Sequence, residues 1–127
     1  MVTQRPANSK DWVRSNRAYM LAWGLPHMAI IVAIWLDPLL RAVVWSIAAA
    51  WMGTACLMNS ARCGRTHCRY TGPFYLFLVV PIVLLGSGIV LTPSYFWWIL
   101  AAALLLGGKA IWLITETLWG RYRTEQS

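Results

Sequence analysis

Charge is scarce in this sequence. Asp, Glu, Lys and Arg make up 12% of its 127 residues, and only four of them are acidic. Soluble domains carry roughly a quarter charged residues and about 45–50% apolar ones; this chain is 59% hydrophobic, which points to a membrane protein. Carboxylate pairs are lacking as well. Asp37 and Glu116 fall on opposite sides of the expected membrane, so no two acids stand together for general acid–base work, and no enzyme activity is expected. Histidine occurs only at His27 and His67, at different expected depths, which leaves no bis-histidine haem site. The three cysteines form no C-x-x-C motif, so neither the paired zinc signature nor the usual redox motif is present. A cleavable signal peptide is not expected either, because the first apolar run exceeds the roughly 7–15 residues of a signal core.

What the sequence does have is long apolar runs separated by short polar breaks. Its net charge of +7 might suggest nucleic acid, but the basic residues lie between apolar runs rather than on one soluble face, so no nucleic-acid partner is expected. The length fits one domain. Residues 1–17 form a basic N-terminal segment, and four spans follow at about 18–36, 39–58, 74–91 and 95–119 within a transmembrane domain over 18–119. Each approaches the roughly 20 residues that cross a hydrocarbon core. Asp37-Pro38 reads as an N-cap and first-turn proline, closing a tight hairpin between the first two spans. Residues 59–73 read as the one long polar loop, and 120–127 as a polar tail. The expected fold is all-α, an integral membrane four-helix bundle made of two helical hairpins.

Orientation follows from the basic residues. Arg5, Lys10, Arg14, Arg17, Arg62, Arg65, Arg69, Arg121 and Arg123 are nine of the eleven Lys and Arg, and four spans put all nine on one side. The positive-inside rule makes that side cytoplasmic, placing both termini and the 59–73 loop there, in a bacterial inner (plasma) membrane. Arg62, Arg65 and Arg69 also suit contact with anionic lipid headgroups.

All three thiols fall within residues 56–68: Cys56 near the end of the second span, Cys63 and Cys68 in the loop, with His67 beside Cys68. Thiolate with imidazole is a donor set for soft or borderline ions such as Cu(I), Zn(II) and, by the same softness, Hg(II). The reducing cytoplasm keeps such thiols free, and neighbouring arginines favour thiolate. On a continued helix Cys63 and His67 share a face while Cys68 turns away, so the set converges only if the loop folds back over the second span. Within the bilayer, His27, Lys109 and Glu116 are the polar candidates. They either line a polar seam toward the thiols, or His27 satisfies a carbonyl freed by Pro26 while Lys109 snorkels toward Glu116; the second reading is the simpler.

The basic loop with its cysteines, between two pairs of spans, resembles the small mercuric-ion transport proteins of bacterial resistance systems. There a cysteine pair in the first helix takes the ion and a cytoplasmic pair passes it on. That resemblance implies that Cys63 and Cys68 stand for the cytoplasmic pair; the first-helix pair has no counterpart here. The run Cys63-Gly-Arg-Thr-His-Cys68-Arg-Tyr-Thr-Gly-Pro73 also resembles a loop of small uncharacterised bacterial membrane proteins. Two functions are therefore expected as alternatives. One is handling of a soft metal ion (Hg, Cu or Zn), as a transporter or resistance factor, through Cys56, Cys63, His67 and Cys68. The other is a non-catalytic accessory or assembly subunit of a larger membrane complex. Lipids and a homodimer or larger assembly are the expected partners.

Overall fold

A computed structural model describes residues 16–63, 66–90 and 93–120, the side chain of Cys63 excepted. Among these residues the chain is all-helical, with no strand. Helix α1 covers 16–33, α2 is Pro38–Cys63, α3 is Thr66–Gly86 and α4 is Tyr95–Trp119. The last three are long and apolar enough to cross a membrane. The N-terminal segment up to residue 15, Arg65 and the tail from 121 lie outside the described residues.

Local chemistry explains the boundaries. Oδ1 of Asp37 accepts the backbone N–H of both Leu39 and Leu40, at 3.1 Å each, so the expected cap starts α2 just ahead of Pro38. Arg41, one turn on, donates through Nη2 to the carbonyls of Ile34 and Leu36 at 2.8 and 2.9 Å, closing the open end of α1. In α1, residues 20–24 form a π turn in which the Leu25 N–H reaches back to Met20 O. Pro26 lacks an N–H and follows at once, and His27 Nδ1–H donates to the Trp23 carbonyl at 2.6 Å.

The polar stretch 59–73, expected as a loop, is helical through Cys63 and again from Thr66. The third helix accordingly begins well before residue 74, and it stops at Gly86 rather than 91. Burial supplies the reason. Asn59, Thr66, His67, Cys68 and Thr71 are all buried, and all but Thr66 make side-chain hydrogen bonds, so their polarity marks an internal layer and not a solvent-facing loop. Past Gly86 the chain turns through Gly88, whose φ of +75° suits glycine.

The tightest packing joins α2 to α3, with α1 resting on α2 and α4 on α3. Small residues on α2 make the close approach possible: Ala42, Ala48, Ala49, Gly53 and Ala55 line the side that also carries the buried Trp45 and Met52. Gly53 and Gly72 meet at the crossing. A Cβ on Gly53 would lie 2.9 Å from Gly72 O, and one on Gly72 would lie 3.2 Å from Gly53 O. Cys56 sits one turn from Gly53, and Cys68 one turn from Gly72, so the same contact brings the two thiols together. Indole N–H bonds tie α1 down: Trp45 Nε1 to Ile30 O and Trp51 Nε1 to Leu21 O, both 3.0 Å.

Candidate functional site

The α2–α3 crossing creates a pair of buried free thiols, Cys56 and Cys68. The two thiols lie close enough to interact. Each sulfur has its own donor. Trp23 Nε1–H points at Cys56 Sγ from 3.2 Å, and Asn59 Nδ2–H at Cys68 Sγ from 3.4 Å. Thr71 adds its hydroxyl 3.3 Å from Cys56 Sγ while bonding His67 O at 2.8 Å. Donors aimed at sulfur stabilise it when it carries negative charge.

His67 connects this pair to α4. Its Nδ1 is 2.9 Å from Glu116 Oε1, and its Nε2 is 3.4 Å from Cys68 Sγ. A carboxylate only accepts, so Nδ1 carries the ring proton and Nε2 turns its lone pair toward the thiol. Trp112 completes the arrangement, donating Nε1–H to Glu116 Oε2 at 2.6 Å and stacking on the His67 ring with centroids 4.5 Å apart. Lys109 does not pair with Glu116. Its Nζ lies 4.3 Å from the centroid of the Trp112 ring, so the cation faces an indole and the carboxylate is left to the imidazole.

A cavity of about 270 Å³ adjoins Cys56. Cys56, His67 and Thr71 line it together with His27 of α1 and Lys109 of α4, so these two polar candidates of the sequence share one space with Cys56. A second π turn at 103–107 precedes Gly108 here, and the Tyr75 hydroxyl donates to Leu104 O in that turn at 3.5 Å. Tyr75 approaches so closely that a Cβ on Gly108 would meet its oxygen. The larger groove between α1 and α2, about 650 Å³, is lined by Leu21, Ile47, Trp51 and other apolar side chains and carries no comparable chemistry.

No family model, curated protein or solved structure matches this chain. Its function is therefore argued from the site. Of the residues expected to act together, Cys56, His67 and Cys68 are adjacent, Glu116 holds His67, and His27 and Lys109 face the same cavity. The Cys63 side chain and Arg65 lie outside the described residues; Arg62 and Arg69 are exposed. Asn59, Thr71, Trp23 and Trp112 join the site without having been singled out from sequence. Asn59 and Thr71 were readable as same-face neighbours of the cysteines, three residues from Cys56 and Cys68 respectively. Trp23 and Trp112 left no local signal.

The carboxylate–imidazole contact has a direct test. Glu116→Gln keeps the shape but replaces one acceptor oxygen with a donating amide. If Trp112 retains its acceptor, His67 must move its proton to Nε2. The 15N shifts of the His67 ring are expected to report that tautomer exchange while those of His27 stay put, and stability is expected to fall by about 1–3 kcal/mol. An unchanged His67 tautomer would show that Glu116 does not orient the ring.

Proposed function

We propose that this is a four-span membrane protein that takes a soft metal ion between Cys56 and Cys68, as a transporter or resistance factor. The observation that carries the proposal is the contact of two free, buried thiols on adjacent helices, with His67 against one of them. Among the described residues no three His, Cys, Asp or Glu side chains converge as ligands to one point. The donor set proposed here is the thiol pair. Soft d¹⁰ ions such as Cu(I) and Hg(II) accept two sulfurs, whereas structural zinc takes four ligands; copper or mercury is the better fit than zinc. The resemblance to mercuric-ion transport proteins points the same way, with Cys56–Cys68 in the role first expected of Cys63–Cys68.

The basic residues favour both termini on the cytoplasmic side of a bacterial inner membrane. On that reading the thiol pair lies near the cytoplasmic end of α2, roughly 10 Å short of Cys63 at 1.5 Å per residue. His27 and Lys109 border the cavity from greater depth, which gives an ion a polar approach to the sulfurs. A subunit serving only to pack against a larger complex has no use for a buried thiol pair held by four side-chain donors and acceptors. Titration of the purified chain with Cu(I) or Hg(II) should saturate at about one ion per chain. The Cys56→Ser/Cys68→Ser protein should bind none; stoichiometric binding by that variant refutes the proposal.

A further inference from the structure

At the other end of the bundle, away from the thiols, a second cavity of about 220 Å³ is lined by Arg41, Trp45, Ser94, Trp97 and Trp98, with apolar neighbours. Its polar groups are nearly all donors. Arg41 has no carboxylate partner among the described residues. Nη2 is engaged with the carbonyls of Ile34 and Leu36, while among the described residues Nη1 has no acceptor and Nε is buried without one. Asp37, the nearest acid in sequence, spends Oδ1 on capping α2. Trp97 lies against the guanidinium, 5.0 Å from ring centroid to Cζ. Neither the Trp97 nor the Trp98 indole N–H has an acceptor within the described residues, and the Ser94 side chain makes no capping bond. Ser94 also stands at the N-terminus of α4, where the helix dipole favours negative charge.

From this geometry we infer that the Arg41 cavity binds a phosphate group. A guanidinium already fixed on one side presents its remaining N–H groups as a fork, the arrangement that matches phosphate oxygens. Trp97, Trp98 and Ser94 border the same cavity and carry further donor groups. The cavity opens where α2 begins and α4 begins, the level at which spanning helices meet lipid headgroups. The phosphate is carried there by a phospholipid or arrives as the free ion; the chemistry recognised is the same. The inference is independent of the thiol site, and failure of either leaves the other standing.

The test uses the full chain in detergent, with phosphatidylglycerol or phosphatidylcholine added and retained lipid counted by native mass spectrometry. Inorganic phosphate is followed in parallel by 31P line broadening. The wild type is expected to retain one phospholipid per chain, and Arg41→Gln to lower that occupancy at least about tenfold, or about 1.4 kcal/mol. Because Arg41→Gln also uncaps α1, Ser94→Asp provides the second variant. An aspartate at this N-cap favours α4 yet places a negative charge in the cavity, and the same loss of lipid is expected with the fold intact. Arg17→Gln removes an exposed charge elsewhere and should leave occupancy within twofold. Retention of phosphatidylcholine as well as phosphatidylglycerol supports recognition of the phosphodiester itself. Broadening of inorganic phosphate that Ser94→Asp abolishes, with no lipid retained, supports the same site with the free ion as occupant. Undiminished binding of lipid and phosphate by Ser94→Asp, or an equal loss in Arg17→Gln, overturns the inference.

Discussion

Cys68→Ser is expected to weaken Cu(I) or Hg(II) binding by about a thousandfold, roughly 4 kcal/mol, and Cys56→Ser by a similar factor. Serine keeps the size and removes the soft donor, so one sulfur is left to hold an ion that needs two. Cys63→Ser should change affinity by less than about threefold, since the thiol pair is complete without it. The comparison of the three single variants separates two pairings. If Cys63→Ser and Cys68→Ser are the damaging pair and Cys56→Ser is silent, the site is the one expected from sequence and not the one at the α2–α3 crossing. His67→Gln should fall between, because it removes the lone pair beside Cys68 but leaves both sulfurs. Competition against a chromophoric chelator reads all four proteins on one scale.

The second large effect is predicted at a residue that bonds to nothing. Gly53→Val would place a branched carbon against Gly72 O, 2.9 Å from its Cβ, and against Leu76 Cγ, 2.8 Å away. A side-chain tip can swing aside; a backbone carbonyl inside a helix cannot. The helices must part, at a cost at or above the 1–3 kcal/mol typical of overpacking. Separation there also draws Cys56 away from Cys68, so metal affinity should fall with stability even though no donor has been changed. Gly88→Ala provides the contrast. Its added carbon meets nothing within 4 Å, and the strain comes only from φ of +75°, worth about 1–2 kcal/mol. Thermal unfolding in detergent should rank Gly53→Val below Gly88→Ala, and only the former should lose ion binding. Equal metal affinity in Gly53→Val and wild type would show that the crossing does not set the thiol spacing.

Three of the helices were legible because long apolar runs announce themselves, and Asp37-Pro38 gave away the start of α2 through its cap. The polar run 59–73 was misleading for a physical reason. Hydropathy reads Asn59, His67 and Thr71 as wanting water, yet here they satisfy sulfur, carbonyl and carboxylate partners inside the protein. Once α3 is seen to start at Thr66, Cys68, Thr71, Gly72 and Tyr75 fall on one face, and that spacing was present in the sequence. The partner of His67 was not. Glu116 lies 49 positions away, and its nearer candidate Lys109 turns to Trp112 instead. Such a choice depends on how α3 and α4 are set against each other, which no local pattern encodes.

Two of the indoles that hold the site also make it visible to light. Trp23 touches the Cys56 sulfur through its N–H, and Trp112 lies flat on His67. A heavy ion settling between the sulfurs would sit beside these two, and spin–orbit coupling would drain their emission. The protein thus carries a pair of intrinsic fluorescent probes at the point of interest, one on each side of the cavity. Occupancy can be followed in the unlabelled chain, with Trp23→Phe and Trp112→Phe identifying which of the two signals is lost.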